Sequence, residues 1–413
     1  MIFYVSLIVA FIFFQLFISR YCNRLDRPFV WVFVFSTAYY SLFGPLYWAL
    51  IKDYDFVGVD WYAGYWDAPL ILAFFSLVCL IAVVVLGRMI RFENIAKNAV
   101  SFDVFPFKLV TGLGVLGAIY LGVVGIGAGK GLNLQDPFLL IAYQFADLLI
   151  PVVLFRIAVE GFTSRNKFIL GVLTLLAVLV GYRYRLVFLW APILALYFSK
   201  ASSVKRINSI IGSVLILIVF SVLTVARKKF EGVDFDVIDG FDFDDLLYGF
   251  FAESNNIFGL LAILKTSVSA GEFIYLDPIF DSVVDFVPRF VFPLKNVGDY
   301  VTRFVALGLV SVEGFDSGTA YPYIGEYLMM GGYWACFLGV LAYALLYIYL
   351  RHLISVASSN NNVISFGLWL LAMFFGYYNY SRGFIPQVSK TLLFIVIPYI
   401  YLMYCTSRRG GVK

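Results

Sequence analysis

Several cations sit in short polar connections between long apolar runs, and their chemistry is that of anion binding. Arg183 and Arg185 stand in GYRYR, Arg289 and Lys295 in VPRFVFPLK, Arg303 a little beyond it, and Arg382 in NYSRGF. A guanidinium is a planar fork of donors that matches phosphate oxygens two at a time and stays charged at any working pH. Any one of these cations could instead snorkel toward headgroups or pair with a neighbouring carboxylate. Their recurrence in separate connections expected on one face points to an anionic ligand, and beside a bilayer a lipid phosphate or pyrophosphate is the natural candidate.

A carboxylate stands in similar company. Glu326 lies in GTAYPYIGEY, just before Met329-Met330-Gly331-Gly332, at the expected outer mouth of a span. It could serve as a general acid or base, or as the structural partner of an arginine. Tyr321 and Tyr323 offer the flat face and polar tip that carbohydrate sites use, although tyrosines at span ends also form the ordinary interfacial belt. Asp147 is alone in its span and reads as a packing or lining carboxylate. The single histidine, His352, adjoins Arg351 at an expected cytoplasmic end, which removes HExxH metalloprotease chemistry and any external Ser-His dyad. The four cysteines show no CxxC spacing, so no metal site is expected. The glycines of Gly125-Ile126-Gly127-Ala128-Gly129-Lys130-Gly131 fail the nucleotide-loop pattern, having Val124 and Gly131 where Gly and Ser or Thr are needed, and read as helix-packing residues.

These residues need a membrane to stand against. Of 413 residues, 62% are hydrophobic and 14% charged, against about 25% charge in a soluble domain. Mean hydropathy is +0.90. The composition predicts an all-α polytopic membrane protein with no separate soluble domain and gives no support to nucleic-acid binding. Apolar runs fall near 3–19, 29–51, 68–89, 109–128, 137–159, 168–182, 186–198, 207–226, 320–350, 363–380 and 386–405, or about 11 (10–12) transmembrane helices. The expected organisation is 1–226 with eight helices, 227–319 as one large periplasmic loop containing amphipathic helices, and 320–413 with three helices and a short cytoplasmic tail. Lys and Arg gather near residues 20–27, 88–108, 156–167, 200–206 and 408–413, which assigns those connections to the cytoplasm. No basic region precedes the first apolar run, so it reads as an uncleaved span with its N-terminus outside. Within the loop, Leu246 to Leu264 recovers helical periodicity around Glu253, Ser254, Asn255 and Asn256. That centre is too polar for a comfortable span, and an interfacial helix on the outer leaflet is expected.

Taken in order, four segments carry a likeness: GYRYRLVFLWAPILALYF, a large outward loop ending in PRFVFPLK, GTAYPYIGEYLMMGGYWA entering the next span, and SRGF before the last one. Together, over roughly residues 180–405, they resemble the Wzy-type oligosaccharide repeat-unit polymerases of O-antigen and capsule synthesis. The family pattern IPRxxxPxKP has Pro where this chain has Asn296. The resemblance implies an enzyme of the bacterial inner membrane that works at the periplasmic face without nucleotide sugar or other cofactor. It implies transfer of a growing glycan from one undecaprenyl pyrophosphate to the sugar end of another lipid-linked repeat unit, with a chain-length regulator as a further candidate partner. On that basis Glu326 and Arg289 are the catalytic candidates, while Arg183, Arg185, Lys295, Arg382, Tyr321 and Tyr323 are the substrate-binding ones. An O-antigen ligase would be expected to carry a histidine in the outer loop, and none lies between Arg227 and Thr319. A lipid-linked oligosaccharide flippase would be expected to string charges along a central path, whereas here they crowd one face.

Overall fold

In hydrocarbon each backbone N–H and C=O must find its partner inside the protein, and the helix is the local way to do so. The computed structural model describes residues 1–51, 64–90, 104–126, 137–179, 183–200, 214–215, 218, 221–222, 227–228, 232–233, 242–269, 271–285, 287, 320–358 and 360–407. Among them, eight helices are long and apolar enough to cross a bilayer: Ile2–Ser19, Arg24–Leu50, Asp67–Met89, Ile141–Glu160, Phe243–Ile263, Tyr323–Ala357, Asn361–Ser381 and Ile385–Cys405. The chain is thus an all-α, multi-pass membrane protein. Further apolar runs also fold as helices, Val104–Tyr120, Ser164–Leu179 and Arg183–Lys200, whereas the expected span at 207–226 lies almost wholly outside the described residues. A two-residue antiparallel pair joins Arg227–Lys228 to Gly232–Val233.

The chain divides into two compact units. The first comprises Met1–Phe92, Glu253–Leu350 and Phe375–Ser389, and the second Glu93–Ala252, Arg351–Phe374 and Lys390–Lys413.

In the first unit aromatic rings and hydroxyls join the helices. Phe29 stacks on Tyr347 with centroids 4.1 Å apart, and the Tyr347 hydroxyl donates to Asp26 at 3.0 Å. The Tyr380 hydroxyl donates to Ser76 Oγ at 2.6 Å and shares a 2.7 Å hydrogen bond with Thr37, so one side chain ties together three helices. The helix Phe243–Ile263, expected on the outer leaflet, is long and apolar enough to span a bilayer, and its residues Asn256 to Ile263 are all buried. The polar centre that argued against a span is satisfied by neighbours. Ser254 Oγ accepts from the Trp48 indole at 3.0 Å, and the Asn256 amide donates to the Tyr380 carbonyl. A polar residue in a span is affordable when another helix completes its hydrogen bonds.

The long helix Tyr323–Ala357 is interrupted at Gly331 and Gly332, the latter at φ 65 and ψ −150. Only glycine enters that backbone region readily. The interruption withdraws helical partners from the turn before it, and the Met329 carbonyl accepts instead from the Ile274 N–H at 2.9 Å.

The second unit relies on small residues. At Gly117 an added Cβ would lie 2.5 Å from the Ala142 carbonyl oxygen, and at Gly114 it would lie 2.7 Å from the Leu149 side chain. Helix Val104–Tyr120 therefore approaches its neighbours at near-backbone distance, as small-residue faces do in membranes. The glycines at 127–131, read as packing residues, lie outside the described residues. Trp190 donates to Thr174 Oγ1 at 3.0 Å across the pair Ser164–Leu179 and Arg183–Lys200. Asp242 begins the Phe243–Ile263 helix with a capping box, accepting from the Asp245 N–H at 2.9 Å while Asp245 accepts from its own at 3.2 Å.

Replacing Gly332 with Ala is expected to destabilise the protein by about 1–3 kcal/mol, because its φ is unfavourable to any side chain. Gly331→Ala, at an extended φ of 176, is expected to cost less. Thermal unfolding of both variants in detergent distinguishes the two; equal midpoints would argue against the interruption.

Candidate functional site

The first unit gathers three of the singled-out segments. The chain enters helix Tyr323–Ala357 through a turn in which the Pro322 carbonyl accepts from the Gly325 N–H at 2.8 Å. On one side of this turn runs the helix of Asn256 to Ile263. Gly259 lets it come close: an added Cβ would sit 2.5 Å from the Ala320 carbonyl oxygen. On the other side is the NYSRGF turn, whose Gly383 N–H donates to the Tyr321 carbonyl at 2.6 Å. Gly383 also has no room for a side chain, since its Cβ would fall 2.5 Å from the Pro322 carbonyl oxygen and 2.7 Å from that of Tyr321. The entrance to the helix is thus clasped between two backbones that glycine alone lets approach.

Within the clasp lies Glu326, fully buried. Its Oε2 accepts from the Ile385 N–H, immediately past the NYSRGF turn. Its Oε1 makes no hydrogen bond among the described residues. Leaving a buried polar atom unsatisfied costs roughly 1–3 kcal/mol, and such an atom in a folded protein calls for an explanation in function or strain. Tyr323 is buried beside it in a cluster of rings, stacked on Tyr343 with centroids 4.9 Å apart and tilted against Tyr380 at 5.3 Å. Tyr321 is buried too, its ring against Gly325. Arg382 is half-buried in the clasp, and its N–H closes the end of the preceding helix on the Tyr378 carbonyl at 2.8 Å. Chemically, a carboxyl oxygen with free lone pairs could accept a proton from a hydroxyl, and tyrosine faces could flank a sugar. In this conformation both are closed to solvent.

The second unit holds the hairpin cations. Arg185 is buried in an ion pair with Asp147, donates a further hydrogen bond to the Tyr143 carbonyl at 3.2 Å, and lies over the Tyr143 ring at 4.9 Å. Asp147, expected as a packing or lining carboxylate, is the ion-pair partner of Arg185. Arg183 opens the helix Arg183–Lys200, with its side chain outside the described residues. Arg289, Lys295 and Arg303 also lie outside them. Glu326, Tyr321, Tyr323 and Arg382 are thus the sequence-derived candidates that the structure brings together. Among the described residues no group of His, Cys, Asp and Glu is placed to hold a metal ion. Asn256, named in the sequence only as part of a polar centre, and Gly259 and Gly383 are not among the sequence-derived site candidates. The signal for Asn256 was present, as a polar residue inside an apolar run; a glycine's close approach leaves no comparable trace.

Two variants probe these placements. Gly383→Ala is expected to force the clasp apart and to cost about 1–3 kcal/mol, as overpacking does. Arg185→Leu strands Asp147 and is expected to cost about 3–5 kcal/mol, whereas Arg185→Leu combined with Asp147→Leu regains most of it. Thermal unfolding of the single and double variants measures the recovery, and a double variant no more stable than the single would speak against the pair. Comparison of the chain with family models, with curated proteins and with solved structures gives no match in any of the three.

Proposed function

We propose that the protein polymerises undecaprenyl-pyrophosphate-linked oligosaccharide repeat units in O-antigen or capsular polysaccharide synthesis, at the periplasmic face of the bacterial inner membrane. The carrying observation is that GTAYPYIGEY and NYSRGF, two of the segments on which the family resemblance rests, are hydrogen-bonded to each other around a buried carboxyl group. In the proposed topology about eleven (10–12) spans cross the membrane, the helix Phe243–Ile263 belongs to the outward loop 227–319 and is not a further crossing, and that loop faces the periplasm with the cations of VPRFVFPLK.

The chemistry follows from those groups. The bond between the anomeric carbon of the donor glycan and its pyrophosphate breaks, and the electron pair leaves with the pyrophosphate. A hydroxyl oxygen of the acceptor sugar forms the new bond to that carbon, and its proton passes to Glu326. Charge growing on the leaving group needs fixed positive partners, a role we give to Arg289 and Lys295, with Arg382 and Arg183 holding the phosphates of donor or acceptor. Tyr321 and Tyr323 flank the sugar once the clasp parts to admit it. Arg185, engaged by Asp147, anchors the GYRYR hairpin and so positions Arg183.

Glu326→Gln preserves an acceptor for the Ile385 N–H, so the fold should survive while proton transfer is lost. Polymer yield is expected to fall by about 10²-fold or more, the range of general-base contributions. Arg289→Ala and Arg183→Ala should likewise remove long chains. The readout is complementation of a polymerase-null strain by membrane-inserted variants, with modal chain length scored on gels. Normal modal chains from Glu326→Gln and Arg289→Ala would overturn the proposal.

A further inference from the structure

The second unit contains a groove that the proposed chemistry does not use. It has a volume of about 1030 Å³ and runs between the helices Val104–Tyr120, Leu149–Glu160 and Ser164–Leu179. The ionic groups along it lie at one end. Lys108 stands near the start of the first helix, Arg156 and Glu160 at the end of the second, and Arg165 at the start of the third. The remainder is apolar, with Leu116, Ile119, Val172 and Leu176 along its length.

The charges at the mouth do not cancel. Glu160 is bonded twice over, by Arg156 in an ion pair at 2.8 Å and by the Asn166 amide at 3.2 Å. Lys108 and Arg165 are both exposed, and neither forms an ion pair among the described residues. The mouth therefore carries two cations beyond its internal pair. The apolar part has a telling length: from Lys108 to Ile119, or from Arg165 to Leu176, an α-helix rises about 16 Å, close to half of a ~30 Å hydrocarbon core. A groove one leaflet deep, apolar along its length and cationic at its interfacial end, complements one molecule class in both respects.

We infer that this groove is a binding site for an anionic phospholipid. Its acyl chain lies along Leu116, Ile119, Val172 and Leu176, and its headgroup phosphate rests between Lys108 and Arg165. Basic pockets between transmembrane helices recognise anionic headgroups in this way. The Lys and Arg distribution assigns this end to the cytoplasmic leaflet. Such a site is independent of the polymerase proposal, since it shares no residue with it.

The test uses the full-length protein in phosphatidylcholine nanodiscs carrying a trace of either phosphatidylglycerol or phosphatidylcholine with a photoreactive diazirine in the acyl chain. After irradiation, labelled peptides are mapped by mass spectrometry. Phosphatidylglycerol is expected to label peptides covering 111–119 and 169–176 about tenfold more than phosphatidylcholine does, given two cations near an anionic headgroup. Lys108→Gln combined with Arg165→Gln should bring phosphatidylglycerol labelling down to the phosphatidylcholine level while leaving the latter unchanged, which also reports that the groove still folds. Excess inorganic phosphate should not compete, because the acyl chain holds the lipid. Equal labelling by the two lipids, no label in those peptides, or displacement by phosphate would each overturn the inference. An absence of label from the groove would mean that protein fills it.

Discussion

Lipid tails are no less apolar than leucine, so burying apolar surface gives a helix little reason to prefer another helix to the bilayer. What remains are close backbone approach and hydrogen bonds between helices, and this protein uses both. Glycines bring backbones together at Gly117 against Ala142, at Gly259 against Ala320 and at Gly383 against Tyr321 and Pro322. Hydroxyls, amides and an indole cross between helices at Tyr380, Thr37, Ser76, Asn256, Ser254 and Trp48. Meanwhile large apolar side chains such as Phe13, Trp31, Phe35 and Leu338 are left on the outside, where in a soluble protein they would be a defect.

The same constraint explains why the candidate site is built where it is. A turn that leaves helical geometry inside a membrane must have each freed group met by protein. The Tyr321–Pro322 entrance and the Arg382–Ile385 turn meet one another, each supplying what the other lacks. Glu326 takes the Ile385 N–H, the Tyr321 carbonyl takes the Gly383 N–H, and the Met329 carbonyl takes the Ile274 N–H. Among the described residues of the clasp, the second oxygen of Glu326, the Tyr323 hydroxyl and the Asn256 side-chain oxygen are buried without a hydrogen bond. All three side chains are buried, so the polar capacity that the fold leaves unused there includes Glu326 without being confined to it.

Much of the fold was legible because span length and apolar composition are written directly into sequence: Asp67–Met89, Tyr323–Ala357 and Ile385–Cys405 lie close to where their apolar runs predict. At Phe243–Ile263 hydropathy counts the polar atoms of Ser254 and Asn256 as costs, and it carries no trace of Trp48 and Tyr380, which complete their hydrogen bonds. Arg185, a substrate-binding candidate from sequence, shows a parallel limit. Its partner, Asp147, is distant in sequence, and only the fold brings the two together. Glu326 is legible as a carboxylate near the start of its apolar run, but the way Gly383 presses on Tyr321 and Pro322 from the next segment is not. Residue type reveals the capacity for an interaction; the partner is a property of topology.

The pair Gly331–Gly332 divides one spanning length into two pieces with separate mechanical duties. An unbroken helix is a stiff rod that carries torsion and tilt from end to end. Here the first piece carries Glu326, while the piece beyond the break presents Trp334, Leu338 and Leu341 on its outside. The two pieces remain packed on each other across the break, since Tyr323 stacks on Tyr343 and the Gly339 backbone lies against the Tyr327 ring. The segment bearing Glu326 is thereby coupled to the second piece through side-chain contacts across the break, and not along a continuous backbone rod.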